Sequence, residues 1–199
     1  MPLLESRAPL DPLTLFRRWY DEAERAGVPQ PDAMTLATAG GRCEPSARMV
    51  LFKGIADGSL LFYSNYKSLK GRDLAANRHG ALVFYWSATR HQVRMSGTVR
   101  RVSRAASAAY FHSRPRGAQL SALASRQSRV IASRAVLERA AAELDRRHPE
   151  DVPLPDDWGG YALRPKWIEF WENRSDRLHD RLRYVRLREG GWRKERLSP

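Results

Sequence analysis

Between Ala33 and Val102 the chain passes through five short apolar runs, each closed by residues that favour turns. The runs are Ala33–Ala39, Ser46–Lys53, Leu60–Asn65, Ala81–Ser87 and Gln92–Val102. Gly40-Gly41, Asp57-Gly58 and the polar stretch 88–91 divide them, and all three separators are turn-competent. Short, evenly spaced strands with polar turns predict an antiparallel β-barrel with helices at its periphery, a mainly-β member of the α+β class.

Helices bracket this core. Asp11 as N-cap and Pro12 at the first helical position start one; Leu13, Phe16, Trp19 (or Tyr20) and Ala23 recur at helical spacing, and Gly27 closes it. Ser68–Asn77, Arg104–Ser113, Ala118–Ala124 and about Ser133–Arg147 also have helical composition. Pro149–Gly160, with three prolines and two glycines, reads as a loop. Two or three further strands follow and end in a hairpin around Glu189-Gly190-Gly191. The expected organisation is a loose arm over residues 1–10 and a single domain over residues 11–199.

The chain of 199 residues, 42% hydrophobic with six tryptophans, can bury one sizeable core. A formal charge of +13 invites a nucleic-acid reading, but its distribution argues against one. The cations are scattered, no block of five like charges forms an arm, and arginine outnumbers lysine thirty to five. Cys43 is the one cysteine, so no internal disulfide or cysteine-cluster metal site is expected. The N-terminus lacks the charged and apolar regions of a signal peptide, and no apolar stretch approaches the roughly 18 residues of a membrane span. The expected compartment is the cytoplasm, with no metal, membrane or nucleic acid as partner.

Four constellations carry possible chemistry. Arg48 and Lys53 stand at the two ends of one strand, five residues apart, and so face opposite sides; they suit two different anionic groups. Ser68 and Lys70 sit at a strand-to-helix turn, where free N–H groups and the helix dipole favour a phosphate. Tyr110 and Arg114 are four apart on a helix that Pro115 must end, which leaves a phenol and a guanidinium converging near a terminus. Arg177, His179 and Arg181 follow the buried run Trp167–Trp171; if extended geometry persists, all three line one face. Two fixed cations beside an imidazole are costly to assemble unless an anion sits against them. The bland alternative for each is a solvated strand end or helix start. Dinucleotide, P-loop, zincin and nucleophile-elbow signatures are all missing.

In order and spacing, Arg48–Lys53, Phe62–Lys70, Arg90–Val93, Tyr110–Arg116, Gln127-Ser128, Trp158-Gly159-Gly160, Ile168–Trp171, Arg177–Arg181 and the closing Trp192–Pro199 resemble the pyridoxamine 5′-phosphate oxidase family. The resemblance runs from about Asp11 to Pro199. It implies an FMN-binding split β-barrel that works as a homodimer, with FMN at the subunit interface. It also implies that FMN is held by Arg48, Met49, Val50, Leu51, Phe52, Lys53, Tyr63, Ser64, Lys70, Gln92, Gln127, Ser128, Trp171 and Arg181. The implied substrate contacts are Lys53, Tyr110, Arg114, Arg177 and His179, with Arg177 and His179 at the reacting carbon. The implied reaction passes a hydride from C4′ of pyridoxamine or pyridoxine 5′-phosphate to the flavin, and dioxygen reoxidises it to give hydrogen peroxide. The chain departs from the family pattern at Leu69, where a basic residue is usual, and at Ala118, where a serine is usual. The alternatives are a split-barrel flavin oxidase for another small aromatic substrate, such as a phenazine precursor, and a flavin- or pyridoxal phosphate-binding protein without turnover.

Overall fold

A computed structural model describes residues 3–199. Helix α1 (Pro12–Arg25) begins where Asp11 accepts a hydrogen bond from the Leu13 N–H, and ends before Gly27 at φ +68°. Its buried stripe includes Leu15, Phe16, Trp19 and Ala23. The Phe16 ring meets Phe52 and Phe84 edge-on, at 5.4 and 5.0 Å between centroids. Aromatic contacts of this geometry contribute beyond their buried area, so α1 is fastened to the strands by shape as well as by hydrophobicity.

The strands are β1 (Ala33–Ala39), β2 (Pro45–Leu51), β3 (Ile55–Ala56), β4 (Ser59–Asn65), β5 (His79–Trp86), β6 (His91–Arg101), β7 (Trp158–Glu172), β8 (Asp180–Arg186) and β9 (Trp192–Arg196). All pairs are antiparallel, in the order β2-β1-β5-β6-β7-β4-β3, with β8 on β7 and β9 on β8. The chain leaving β2 closes the ring: the Lys53 N–H donates to the Leu61 carbonyl, and the Leu61 N–H to that of Gly54. Met34, Leu36, Leu60, Phe62, Leu82, Phe84, Val93, Met95, Ile168 and Phe170 are fully buried by it. The expected antiparallel barrel with peripheral helices is therefore what the chain forms. The helices are α2 (Leu69–Ala76), α3 (Arg104–Ser113), α4 (Arg116–Ala124) and α5 (Arg134–Arg147). The short β3, two residues after a glycine, was not anticipated, because two residues carry no periodicity.

Strand β7 organises everything else. Of its 15 residues, those from Tyr161 to Glu172 pair with β6, while Trp158–Leu163 pair with β4 and Trp167–Glu172 with β8. At the changeover the β6–β7 register slips between Ser96 and Gly97. A Cβ on Gly97 would lie 2.0 Å from the Arg164 carbonyl oxygen, so only glycine permits the approach. Pro165, which has no N–H to offer a ladder, stands opposite Gly97.

Three expectations are corrected. The loop read over Pro149–Gly160 is shorter, because β7 starts at Trp158: Gly159 and Gly160 are strand residues that let Tyr66 and Tyr63 pack closely. Extended geometry does not persist from β7 to Arg181. Residues 173–179 form a turning connection, with Arg177 at φ +65°, so Arg177 shares no strand face with Arg181. Finally, the segment 3–10, expected as a loose arm, is tied down. Lys194 Nζ donates to the carbonyls of Glu5 and Ala8, Tyr184 Oη donates to that of Pro9, and Arg196 pairs with Glu5. Residues 1 and 2 of that arm lie outside the described residues.

Gly97→Ala is expected to destabilise the protein by about 3 kcal/mol, at the upper end of overpacking costs, because the opposing atom is backbone and cannot rotate away. Chemical denaturation of the two proteins at neutral pH checks this, and a change under about 1 kcal/mol would mean the changeover tolerates a side chain.

Candidate active site

At the start of α2 the chain makes a cap and then buries a cation. Ser68 Oγ accepts from the Gly71 N–H and donates to the Asn65 carbonyl. Gly71 is required here, since a Cβ would sit 2.2 Å from the Tyr66 carbonyl oxygen. The turn then directs Lys70 inward, 9% exposed, where its Nζ donates to Gln127 Oε1 at 2.8 Å. Burial, and then the nearby Arg48, lower the ammonium from its usual range. Arg48 arrives from β2 and donates to Thr38 Oγ1 and Ser46 Oγ at 2.6 Å each. Its carboxylate is Asp73 on α2, 3.6 Å away, which also accepts from Thr38 Oγ1.

Gln127 and Ser128 reach this corner from more than fifty residues along the chain. Ser64 Oγ donates to Gln127 Oε1, and Ser128 Oγ accepts from the Leu69 N–H. The corner thus presents two partly desolvated cations, five hydroxyls and a helix N-terminus with one internal carboxylate. It has the chemistry to receive a phosphate. Leu69, where the family pattern has a basic residue, is 43% exposed.

Beside it stands an aromatic wall. Tyr63 stacks on Tyr110 at 3.8 Å between centroids, and both lie nearly parallel to Trp158. Arg114, the cap residue that ends α3, lies over the Trp158 ring at 4.8 Å. Its Nη1 is buried without a hydrogen-bond partner, and burial lowers the guanidinium from its usual range. A buried donor left free is costly, and here it borders an open cavity of about 450 Å³ that Asn65, Gln127 and Trp158 also line. Burial also raises the Tyr63 phenol, with Tyr110 next in effect, so it remains a proton donor at neutral pH.

The remaining residues form a second group on the outward face of the sheet. Gln92, Trp171 and Arg181 stand in one cross-strand row of β6, β7 and β8. His179 lies against Trp171 with ring centroids 4.7 Å apart, and its Nδ1 accepts from the Arg174 N–H. That bond leaves Nε2 to carry the proton in the neutral ring. Arg177 is exposed, and its side chain makes no ion pair among the described residues.

Glu169 holds this group in place. It is 2% exposed and accepts from Arg94 at 2.6 Å and from Arg181 at 2.9 Å. Burial alone would raise its carboxyl, but the hydrogen bonds from Arg181 and Arg94 outweigh that and keep it below the usual carboxylate range.

The expected cofactor set is therefore split within one chain. Arg48, Tyr63, Ser64, Lys70, Gln127 and Ser128 converge, with the substrate candidates Tyr110 and Arg114 alongside. Gln92, Trp171, His179 and Arg181 gather separately. Of the strand run, Val50 is buried in the core, Phe52 packs on Phe16, and Met49 and Leu51 point outward, 60% and 41% exposed. Lys53 is paired with Asp32. Sequence reasoning missed Asp73 and Glu169, which position the arginines. A usable signal existed for Glu169, a lone acid inside the aromatic run Trp167–Trp171.

Glu169→Gln is expected to cost about 3 kcal/mol at pH 7, because it leaves two guanidinium groups facing a neutral amide. A carboxyl held low in the folded state stabilises above its unfolded pKa and loses that contribution as pH falls through the folded value. The gap in Tm between the two proteins should thus be widest near neutrality and close below about pH 4. A gap independent of pH would assign the loss to packing instead.

Residues 20–148 match the family model described as pyridoxamine 5′-phosphate oxidase, and residues 158–199 match that of the pyridoxine 5′-phosphate oxidase C-terminal dimerisation region. A pyridoxine/pyridoxamine 5′-phosphate oxidase of Salinibacter ruber is 52% identical over 192 residues, covering 95% of this chain and 89% of its own. One of Rubrobacter xylanophilus is 52% identical over 199 residues, covering 99% and 91%. Among solved structures, PhzG of Burkholderia lata, in complex with tetrahydrophenazine-1-carboxylic acid, superposes with a TM-score of 0.93 at 33% identity, over 99% of this chain and 98% of that one. An FMN-binding protein of Nostoc punctiforme shares the fold, with a TM-score of 0.76 at 20% identity over 92% of this chain and 97% of that one. With both models matched in sequence order and the split-barrel architecture in place, the chain belongs to the pyridoxamine 5′-phosphate oxidase family.

Proposed function

We propose that this protein is an FMN-dependent oxidase that converts pyridoxamine and pyridoxine 5′-phosphates to pyridoxal 5′-phosphate. Dioxygen is the acceptor and hydrogen peroxide the by-product; the amine substrate also releases ammonia. The observation that carries the reading is the pair of adjoining anion sites: Arg48 with Lys70 at the α2 start, and Arg114 with its unpartnered Nη1 across the Tyr63–Tyr110 stack. A phosphorylated cofactor and a phosphorylated substrate need two such sites side by side.

FMN, when bound, supplies the two-electron redox chemistry. Arg48, Lys70, Ser64, Gln127 and Ser128 would hold its phosphate end. Tyr110, Arg114 and Lys53 would anchor the substrate phosphate, and the Arg114 guanidinium rests over the Trp158 ring. Arg177 and His179 would position the ring of the substrate and steady charge developing near the reacting carbon. His179 is suited to donate from Nε2, since its Nδ1 is engaged by the Arg174 N–H.

The active form in this reading is a homodimer with FMN at the interface. Its support is the split of the cofactor residues into two groups, together with the match of residues 158–199 to a dimerisation region. The outward face carrying Gln92 and Trp171 also exposes Tyr85, which pairs with Gln92 across the strands and is 61% exposed. A face with exposed aromatic rings beside polar groups suits a second copy of the chain. A cytoplasmic location belongs to the same proposal; the exposed thiol of Cys43 suits a reducing compartment.

The full-length likeness to PhzG keeps a second reading in view, an oxidase of phenazine precursors. Aerobic turnover separates the two. The FMN-loaded protein should turn over pyridoxamine 5′-phosphate with the appearance of aldehyde absorbance, and the same substrate without air should bleach the flavin. A yellow protein that does not bleach would sink the vitamin B6 reading. His179→Ala and Arg177→Ala should each lower kcat/KM by roughly one to two decades while flavin is retained, the loss of one charged hydrogen bond to the substrate. Loss of flavin with normal turnover by the remaining holoenzyme would refute that placement. Tyr85→Glu should yield a monomer that loses FMN, read by light scattering and flavin absorbance; a flavin-loaded, active monomer would overturn the shared site.

A further inference from the structure

Lys53 belongs to both expected ligand sets, and in the structure it already has an anion. Its Nζ lies 2.8 Å from Asp32 Oδ2, with both side chains about a quarter exposed. This pair differs from the mobile ion pairs of the surface, because the backbone holds both ends. The Asp32 carbonyl accepts from the Phe52 N–H at 2.8 Å, and the carbonyl of the preceding Pro31 accepts from Trp86 Nε1 at 3.0 Å. Gln30, at φ +50°, closes a turn through the Ala33 N–H and sets the direction in which Asp32 leaves it. On the other side, the Lys53 N–H is bonded to Leu61, and Gly54 at φ +101° turns the chain away.

The four cations offered to phosphates are therefore not equivalent: Lys70 has only neutral acceptors. Arg114 has no ion pair among the described residues, and its Nη1 has no hydrogen-bond partner there. Arg48 shares Asp73 with Thr38. Of the four, Lys53 alone has a carboxylate at hydrogen-bond distance that accepts from no other side chain among the described residues. We propose that Asp32 is a specificity-determining residue: its carboxylate competes with the anionic group of the substrate for Lys53 and so sets how tightly that group is held.

An ammonium has three donors, so an incoming phosphate can share Lys53 without expelling Asp32. It must then sit close to a fixed like charge, and that repulsion grows with the charge of the ligand. Asp32 thus attenuates the anion site, and does so more strongly the greater the negative charge of the ligand. The inference rests on the proposed role of Lys53 in substrate binding.

Asp32→Asn keeps the shape and an acceptor for Lys53 while removing the charge. With FMN-loaded enzyme, it is expected to lower KM for pyridoxamine 5′-phosphate by about tenfold, with the gain in KM rather than in kcat. Inorganic phosphate should become a correspondingly stronger competitive inhibitor, and Asp32→Glu should behave as the parent does. In a Lys53→Met background the Asp32→Asn effect should vanish. An unchanged or raised KM in Asp32→Asn would overturn the proposal, as would a fall in Tm with no change in phosphate affinity. If the parent enzyme does not oxidise pyridoxamine 5′-phosphate at all, the function reading fails. Flavin fluorescence titrated with inorganic phosphate then still decides the role of Asp32, since tighter binding by the asparagine variant upholds it and equal binding refutes it.

Discussion

The long pairing of β6 with β7 is the constraint on which the rest of the molecule depends. β7 is a wall of the barrel in its first half and the base of the β8–β9 extension in its second. One strand can serve both only if it bends between them. The slip at Gly97 supplies the bend, since no other residue admits the Arg164 carbonyl at that distance. Trp158, at one end of β7, builds the wall behind Arg114; Trp171, near the other end, carries His179. Both groups of site residues are therefore placed by a single element.

Charge is distributed by the same economy. The outward row uses a buried carboxylate, Glu169, to hold two arginines rigid, at the cost of desolvating it. The α2 corner uses Asp73 and Thr38 to aim Arg48, and leaves Lys70 with only neutral acceptors. Arg114 rests on an aromatic face without an acid. Cations that are buried, oriented and under-neutralised bind anions without first having to rearrange, which is where pre-organisation lowers the cost of association.

Much of this was legible beforehand. Helix α3 was expected and observed over Arg104–Ser113, and β1 over Ala33–Ala39, because capping residues and apolar periodicity act locally. The Tyr110/Arg114 convergence followed from helical spacing and a terminating proline. The Arg177–Arg181 argument failed for a local reason too: alternation holds only while the backbone stays extended, and Arg177 sits at positive φ. The arm over residues 3–10 looked loose because nothing within it is periodic. Its anchors, Tyr184, Lys194 and Arg196, lie near the far end of the chain.

The chain by itself determined most of its strands, the Asp11 cap of α1 and the kinds of side chain available to meet phosphate. These follow from neighbours a few residues apart, whose sterics and hydrogen bonds are settled before any distant contact forms. Only the tertiary structure decided which cations keep an acid and which are left free. Asp32 to Lys53, Asp73 to Arg48 and Glu169 to Arg94 are pairings across 21, 25 and 75 residues of chain. No local rule reaches across such separations; they are set by how the barrel closes and where β7 bends.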